Sequence, residues 1–187
     1  MKAFQLHTIE TAPEASHSDL EDTQKGTGFI PNLYSVLAEA PTALKAYIQV
    51  TDLLDQHSAL SAAERHLVAI AISGSNRCGY CMAAHGTVAK MSKAQEEDIQ
   101  AGLTGKSPDD AKLSALLRFS TALADSKGRL SEETLTEFYD AGYNQRHVLE
   151  VITVAALKTL SNYTNHLAET PIDDAFAAYT PPADRVD

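Results

Sequence analysis

The order of apolar and polar positions predicts a succession of helices, and its clearest section is the middle of the chain. Ser61 followed three residues later by Glu64 is a capping-box pattern, which marks a helix start. The residues 67–72 that follow are all apolar. Residues 74–76, Gly-Ser-Asn, are poor in helix interiors and common in turns, so they interrupt the run. We therefore predict one helix, a break, and a new helix that begins near Arg77.

Similar signals divide the rest of the chain. Short apolar stripes with helical spacing begin at Pro, Ser or Asn and end at Gly. The predicted helix starts are Pro31, Pro41, Ser92 with Gln95 as a second capping box, Ser107, Ser131 and Asn144. The predicted helix ends include Gly102, Gly128 and Gly142. The longest segment, 145–167, is apolar almost all round, which predicts a central buried helix. A last short helix is expected over 172–179.

Strand-like alternation is absent from this pattern, so the fold class is predicted to be all-α. We expect one compact domain over residues 1–187 with about eight to ten helices. A loose N-terminal arm, 1–27, and a loose C-terminal tail, 180–187, flank it. A shift of 81 residues aligns Arg65-His66 with Arg146-His147, and the same shift aligns His85 with His166. This match suggests an internal helical repeat.

The length and net charge of the chain argue against some classes of binding partner. The 187 residues suffice for one full core, and 25 acidic against 15 basic residues give a net charge of −10. Binding to nucleic acid or to an anionic membrane needs a basic face, which this chain lacks. We find neither an apolar run of about 20 residues nor a secretory signal, so a cytoplasmic protein with small-molecule or protein partners is expected.

Candidate chemistry lies just after the predicted break. Both cysteines of the chain stand in one Cys-x-x-Cys pattern, and Cys78, Cys81 and His85 fall at i, i+3 and i+7 on one helix face. A helix N-terminus lowers the pKa of a thiol, and a histidine one turn after Cys81 can take its proton. Glu64, on the preceding helix, can hydrogen-bond to His85 and orient it. These residues predict an activated dithiol.

The residues alone leave the attacking thiol open. The position at the helix N-terminus favours Cys78, whereas the nearby His85 favours Cys81. Two structural alternatives stand beside a redox role. A zinc site would need His66 or His166 as a fourth ligand, and Glu64 can be explained as a helix cap alone. Because the chain has no second Cys-x-x-Cys, we favour redox chemistry without a metal, flavin or haem cofactor.

The motif also resembles a known family. Glu64, Cys78-Gly-Tyr-Cys81 and His85 are similar to the active-site signature of alkylhydroperoxidase D and of the carboxymuconolactone decarboxylase-like superfamily. The flanking segments resemble the branch of peroxidase-related proteins, and together the likeness covers about residues 28–176; the segments are Gly28 to Leu33, Leu160 to His166, and Thr170 to Asp173.

This resemblance implies roles for single residues. Cys81 would attack the peroxide, Cys78 would resolve the sulfenic acid as a disulfide, His85 would accept the proton and Glu64 would support His85. Tyr80 departs from the family pattern, which has a histidine between the cysteines. Tyr80 and His166 are candidate pocket residues, although structural hydrogen bonding is the simpler interpretation of His166. His66 is expected at a surface or subunit contact.

The expected function is that of a thiol-dependent peroxidase with antioxidant activity. It would reduce small alkyl hydroperoxides and would be re-reduced by an external dithiol. A thiol–disulfide oxidoreductase or redox-responsive protein is the main alternative, and a decarboxylase of the carboxymuconolactone type is another. The apolar helices and the resemblance imply a homo-oligomer, either a trimer or a hexamer.

Overall fold

Helices make up the framework of the molecule. The computed structural model describes residues 4–186, and in this part of the chain there is no strand, which confirms the all-α prediction. The α-helices are α1 His17–Thr27, α2 Asn32–Leu37, α3 Pro41–His57, α4 Ala62–Ser75, α5 Gly79–Met91, α6 Glu96–Thr104, α7 Ala111–Ser126, α8 Glu132–Asp140 and α9 Gln145–Ala168. Three short 3-10 helices lie at Glu14–Ser16, Asp174–Tyr179 and Ala183–Arg185.

The break between α4 and α5 is present as predicted. Helix α4 ends at Ser75, and Arg77 has a left-handed φ of 56°, which turns the chain sharply. Cys78 is the N-cap of α5 in an extended conformation, and its N–H donates to the Ser73 carbonyl at 2.8 Å. This turn lets α4 and α5 lie against each other and places a cysteine at the start of α5.

Aromatic stacking organises the core on one side of α4. The rings of Phe119 and Phe138 are 4.1 Å apart between centroids, and those of Phe138 and Tyr143 are 4.7 Å apart. Both phenylalanines are at most 1% exposed. Truncation of such a ring to Ala costs about 3–5 kcal/mol, so this stack is a principal anchor for α7 and α8. A second apolar cluster, which includes Leu20, Leu44 and Tyr47, surrounds the two cysteines.

Helix α9 differs from its prediction. It is buried on one face only; the exposed apolar side chains are Leu149, Ile152, Tyr163 and Leu167, with 64%, 44%, 58% and 74% of their surface accessible. Its buried face carries Val151 and Val154, but also Lys158 and Asn162. The all-round apolar pattern was therefore misleading, because polar side chains lie on the inner face and apolar ones on the outer face.

Two helix ends were also placed wrongly by the sequence. Ser92 is the C-cap of α5 rather than the start of a capping box, and α6 begins only at Glu96. Gly102 lies inside α6, where a Cβ would approach the side chain of Ile70 to 3.1 Å. Close contact between α4 and α6 explains this glycine, and Gly105, with a φ of 74°, ends the helix instead.

Both flanking segments are ordered parts of the fold, so the loose arm and tail were wrong predictions for the described residues. Leu20 in α1 is fully buried, and the Ser16 hydroxyl donates to the Ala38 carbonyl at 2.8 Å. Near the other end, Tyr179 lies against Gly86 and Arg185 against Gly74. Residues 1–3 of the predicted arm and residue 187 of the tail lie outside the described residues.

The predicted internal repeat stays a prediction. At an offset of 81 residues, the break between α4 and α5 corresponds to the middle of α9, which continues without interruption. The sequence also predicts no membrane-spanning segment. Among residues 4–186, no helix combines the length and apolar character that a bilayer crossing requires.

Candidate active site

The dithiol lies at the start of α5 and is closed off from solvent. Cys78 and Cys81 approach each other to 3.6 Å, and both are free thiols that are 1% exposed. A disulfide requires a sulfur–sulfur distance of about 2.05 Å, so a small local adjustment is enough to join them. The pair is therefore arranged for reversible disulfide formation.

One face of α9 covers the dithiol with polar groups. Lys158, Ser161, Asn162 and Asn165 follow each other at i, i+3, i+4 and i+7, and all four are buried. The Asn165 amide nitrogen donates to Cys81 Sγ at 3.3 Å and lies 3.8 Å from the other sulfur. Ser161 Oγ is 3.5 Å from Cys81 Sγ. These dipoles supply the polar surroundings that a buried thiolate needs.

The two thiols differ strongly in acidity. A hydrogen bond from Cys78, the charge of Lys158 and hydrogen bonds from Ser161 and Asn162 outweigh burial and lower the pKa of Cys81 from 9.0 to about 5. The same hydrogen bond, together with burial, raises the pKa of Cys78. At neutral pH the pair therefore holds a Cys81 thiolate and a protonated Cys78 thiol, with Cys78 as the donor.

A row of three basic side chains leads away from the dithiol. Lys158 Nζ lies 2.6 Å from His85 Nε2 and 3.2 Å from the Tyr47 hydroxyl oxygen. His85 Nδ1 lies 3.1 Å from His66 Nδ1. Because Lys158 donates to His85 Nε2, the proton of a neutral His85 sits on Nδ1 and donates to His66. Lys158 is 1% exposed, whereas both histidines are partly exposed.

Burial controls the charges in this row. Burial, followed by the charges of Lys158 and His66, lowers the pKa of His85 well below its ordinary value. Burial also lowers the pKa of His66 to about 4 and lowers the pKa of Lys158. Both imidazoles are thus neutral at pH 7, while the nearby Cys81 thiolate favours the charged form of Lys158.

Glu64 does not contact His85, so the predicted support was wrong. Its carboxylate accepts from the Ser61 N–H and hydroxyl, both at 2.8 Å, and from the Tyr143 hydroxyl at 2.9 Å. Residues 64 and 66 point to nearly opposite sides of α4, since successive residues turn by about 100°. His66 consequently occupies the place beside His85 that was predicted for Glu64, and Glu64 is a helix cap.

The two candidate pocket residues also lie elsewhere. The Tyr80 hydroxyl donates to Asp173 Oδ2 at 2.6 Å and accepts from the Leu33 N–H at 3.1 Å, so it joins α5 to the first turn of α2 and to the segment after α9. His166 is exposed on α9 and takes no part in the site. Within residues 4–186, no group of three His, Cys, Asp or Glu side chains is arranged to hold a metal ion.

Sequence reasoning missed Lys158, His66 and the amide groups of α9. A signal for the first was present: a lysine within an apolar segment, followed by Ser161, Asn162 and Asn165 at helical spacing. Such a row marks a polar stripe inside the core. His66 carried no comparable signal, because its role depends on which side of α4 faces α5.

The sequence of this region matches a known family. Residues 41–132, which contain both cysteines, His66 and His85, match the carboxymuconolactone decarboxylase family. The matched segment is slightly less than half of the chain. The resemblance found in the motif is thereby confirmed, although Lys158 and the other residues of α9 lie beyond the matched segment. Among curated proteins, none matches the sequence.

Solved structures of similar proteins show the same fold over nearly the whole chain. An alkylhydroperoxidase AhpD core, peroxidase-related protein from Ralstonia eutropha is 21% identical with a TM-score of 0.84, covering 96% of this chain and 97% of that one. A peroxidase-related protein from a Silicibacter species is 20% identical with a TM-score of 0.78, over 92% and 91%. The debrominase Bmp8 in complex with 2,3,4-tribromopyrrole is 17% identical with a TM-score of 0.80, over 100% and 98%.

The family match and the fold together indicate an enzyme. Two surface clefts of about 310 and 360 Å³ are lined by other residues, among them Arg185 in the first and Lys93 in the second. Neither cleft is lined by the cysteines. Because both cysteines are 1% exposed, a reactant must be small, or the side of the site that carries His66 and His85 must open.

Proposed function

We propose that this enzyme is a thiol peroxidase that reduces small hydroperoxides, with Cys81 as the attacking thiol and Cys78 as the resolving thiol. The observation that carries the proposal is the unequal surroundings of the two buried sulfurs. Cys81 Sγ lies 3.3 Å from the Asn165 amide nitrogen and 3.5 Å from Ser161 Oγ, whereas Cys78 Sγ lies 3.8 Å from the same amide. Cys81 is held as a thiolate in a dry site, 3.6 Å from Cys78, which keeps its proton. A nucleophile and its resolving partner need this division of roles.

The reaction uses the two sulfurs in turn. The Cys81 thiolate attacks the terminal oxygen of the hydroperoxide, an S–O bond forms, the O–O bond breaks, and the alcohol leaves after it takes a proton. The Cys78 sulfur then attacks the sulfenic acid, the disulfide forms and water leaves. An external dithiol restores the pair by thiol–disulfide exchange. The thiols supply both electrons, so this cycle uses no further redox group.

Sulfenic acid trapping tests the assignment of roles. We expect Cys78→Ser to accumulate one dimedone-reactive sulfenic acid after a single equivalent of hydrogen peroxide, because Cys81 is oxidised and no resolving thiol remains. Cys81→Ser should accumulate none. Stopped-flow mixing of the reduced wild type with hydrogen peroxide and with cumene hydroperoxide gives the rates. The reverse trapping pattern would assign the attack to Cys78.

The debrominase neighbour favours a second candidate function. A dithiol can remove bromine reductively from an aromatic ring: the C–Br bond becomes C–H, the thiols become a disulfide, and HBr is released. Bromide release from 2,3,4-tribromopyrrole by the reduced protein, together with slow oxidation by peroxide, would favour this reaction. Fast exchange with small disulfides and slow reaction with both other reagents would instead favour the thiol–disulfide oxidoreductase alternative.

A further inference from the structure

Lys158 is a buried cation for which residues 4–186 supply no acidic partner. It is 1% exposed, and its hydrogen-bond partners are Tyr47 and His85, both neutral groups. Among residues 4–186, no carboxylate lies within 4.0 Å of its nitrogen. A buried ammonium without a counter-charge is costly, so some other anion must offset it.

The groups that face Lys158 from each neighbouring helix leave one candidate for that anion. Burial raises the pKa of Tyr34 on α2 and of Tyr47 on α3, so both phenols stay neutral. On α5, His85 is neutral, as is His66 behind it on α4. The Cys81 thiolate remains. Lys158 lies one helical turn before Ser161 on the buried face of α9, and Ser161 Oγ is 3.5 Å from Cys81 Sγ. The attraction between the thiolate and the ammonium acts on the pKa of both groups.

This pairing connects the charge of Lys158 to the oxidation state of the dithiol. In the reduced state, the thiolate and the ammonium neutralise each other in a dry site. Once Cys81 is oxidised to sulfenic acid or to a disulfide, its negative charge is gone. The ammonium is then buried beside neutral groups alone, a situation that buried lysines avoid by releasing a proton.

We propose that Lys158 is the proton donor of this site and that it takes up and releases one proton in each redox cycle. This inference rests on the proposed function, because the group that accepts the proton is the alkoxide released from the hydroperoxide. As the O–O bond breaks, the departing alkoxide takes the proton of Lys158. The balance is: thiolate, hydroperoxide and ammonium become sulfenic acid, alcohol and neutral amine.

His85 and His66 provide the route by which the proton returns. Each contact in the row Lys158 Nζ, His85 Nε2, His85 Nδ1 and His66 Nδ1 is within hydrogen-bond distance, and His66 reaches solvent. When an external dithiol reduces the disulfide, two electrons and two protons enter the site. One proton stays on Cys78 and the other returns to Lys158, while Cys81 remains a thiolate.

Two substitutions separate proton donation from charge alone. Arginine cannot be deprotonated in a protein, so Lys158→Arg keeps the positive charge but removes the donor. Lys158→Met removes both. We expect Lys158→Arg to keep the low thiol pKa and to react with hydrogen peroxide about 100-fold more slowly, since general acid catalysis contributes about 10²–10⁴-fold. Lys158→Met should raise the thiol pKa, as measured by ultraviolet thiolate absorbance.

The number of protons taken up on reduction gives a readout without peroxide. Near pH 7, the pH dependence of the dithiol reduction potential should show two protons per disulfide in the wild type. The same measurement should show one in Lys158→Arg, which cannot accept the second. The exposed Lys106→Met is the control and should behave as wild type, and helical circular dichroism with a thermal melt confirms folding of each variant.

Either of two results would overturn the inference that Lys158 donates and regains a proton. Uptake of a single proton by the wild type would mean that Lys158 stays charged in both redox states. A Lys158→Arg variant that reacts with peroxide at the wild-type rate would likewise exclude proton donation. Should wild-type protein prove inert to hydroperoxides while two protons are taken up on reduction and thiolate absorbance shows Cys81 ionised, the proposed peroxidase function fails and the redox-linked lysine stands. Should either substitution at position 158 fail to fold, the wild-type proton count and the wild-type thiolate absorbance decide the question together: two protons with one thiolate present support the inference, and two protons with no thiolate overturn it.

Discussion

Acid should destabilise this protein more than its carboxylates alone would require, because it buries neutral histidines beside a lysine. The clearest case is His66, whose pKa is lowered from 6.5 to about 4 by burial. Between these values the unfolded chain binds a proton that the folded chain refuses. Stability therefore rises with pH in this window and is lost as the pH falls below about 6.5.

The size of the effect follows from the two pKa values. At pH 5 the ring is almost fully protonated in the unfolded chain and about one-tenth protonated in the folded one. Integrated from pH 7 to pH 5, this difference destabilises the folded state by about 2 kcal/mol. Since His66 is partly exposed, that figure is an upper value for it. The lowered pKa values of His85 and Cys81 act in the same direction.

Urea unfolding of the reduced protein at pH 7 and pH 5, at one fixed protein concentration, measures the loss. In His66→Gln, the amide oxygen can still accept from His85 Nδ1 but cannot titrate, so the difference between the two pH values should shrink by up to about 2 kcal/mol. His166→Gln removes an exposed histidine outside the site and is the matched control. An unchanged difference in His66→Gln would refute the reasoning, because it would mean that His66 accepts its proton in the folded state.

Three further predictions concern the other residues singled out by the sequence. Glu64→Gln should lower the free energy of unfolding by about 1 kcal/mol through its cap, yet leave the thiolate titration of Cys81 unchanged; a shifted titration would restore the predicted relay. Tyr80→Phe leaves the Leu33 N–H without its acceptor and Asp173 with only the Asn32 N–H as donor, and it should cost about 1–3 kcal/mol in urea unfolding; an unchanged free energy of unfolding would contradict this. We expect a homo-oligomer by light scattering, weakened by Ile152→Glu on the exposed face of α9; a single species near 20.1 kDa would contradict it.

The local part of the fold could be predicted well because its signals are local. Helix starts depend on side chains within one turn, and Ser61 with Glu64 forms the capping box that the pattern indicates. The break before Cys78 likewise follows from three successive residues that favour turns. Cys81 and Cys78 could be paired from their spacing alone, since a single helix turn sets their distance.

Contacts between helices could not be predicted in the same way. The face of α4 that meets α5 is fixed by tertiary contacts, and this face selects His66 instead of Glu64 for the place beside His85. A carboxylate two residues away in sequence looked equivalent, yet it points to Tyr143. Local pattern thus identified the right helix pair and the wrong side chain.

The replacement of the expected carboxylate by an imidazole has a consequence for the whole site. A glutamate beside His85 would favour the charged form of that ring and would compete with the thiolate for the charge of Lys158. With neutral His66 in that position, the Cys81 thiolate is the anion left to balance Lys158. The neutral imidazole at one end of the row and the buried cation at the other end therefore belong to one electrostatic arrangement. In the proposed reaction, this arrangement would keep the Cys81 sulfur ionised and hold a proton beside it.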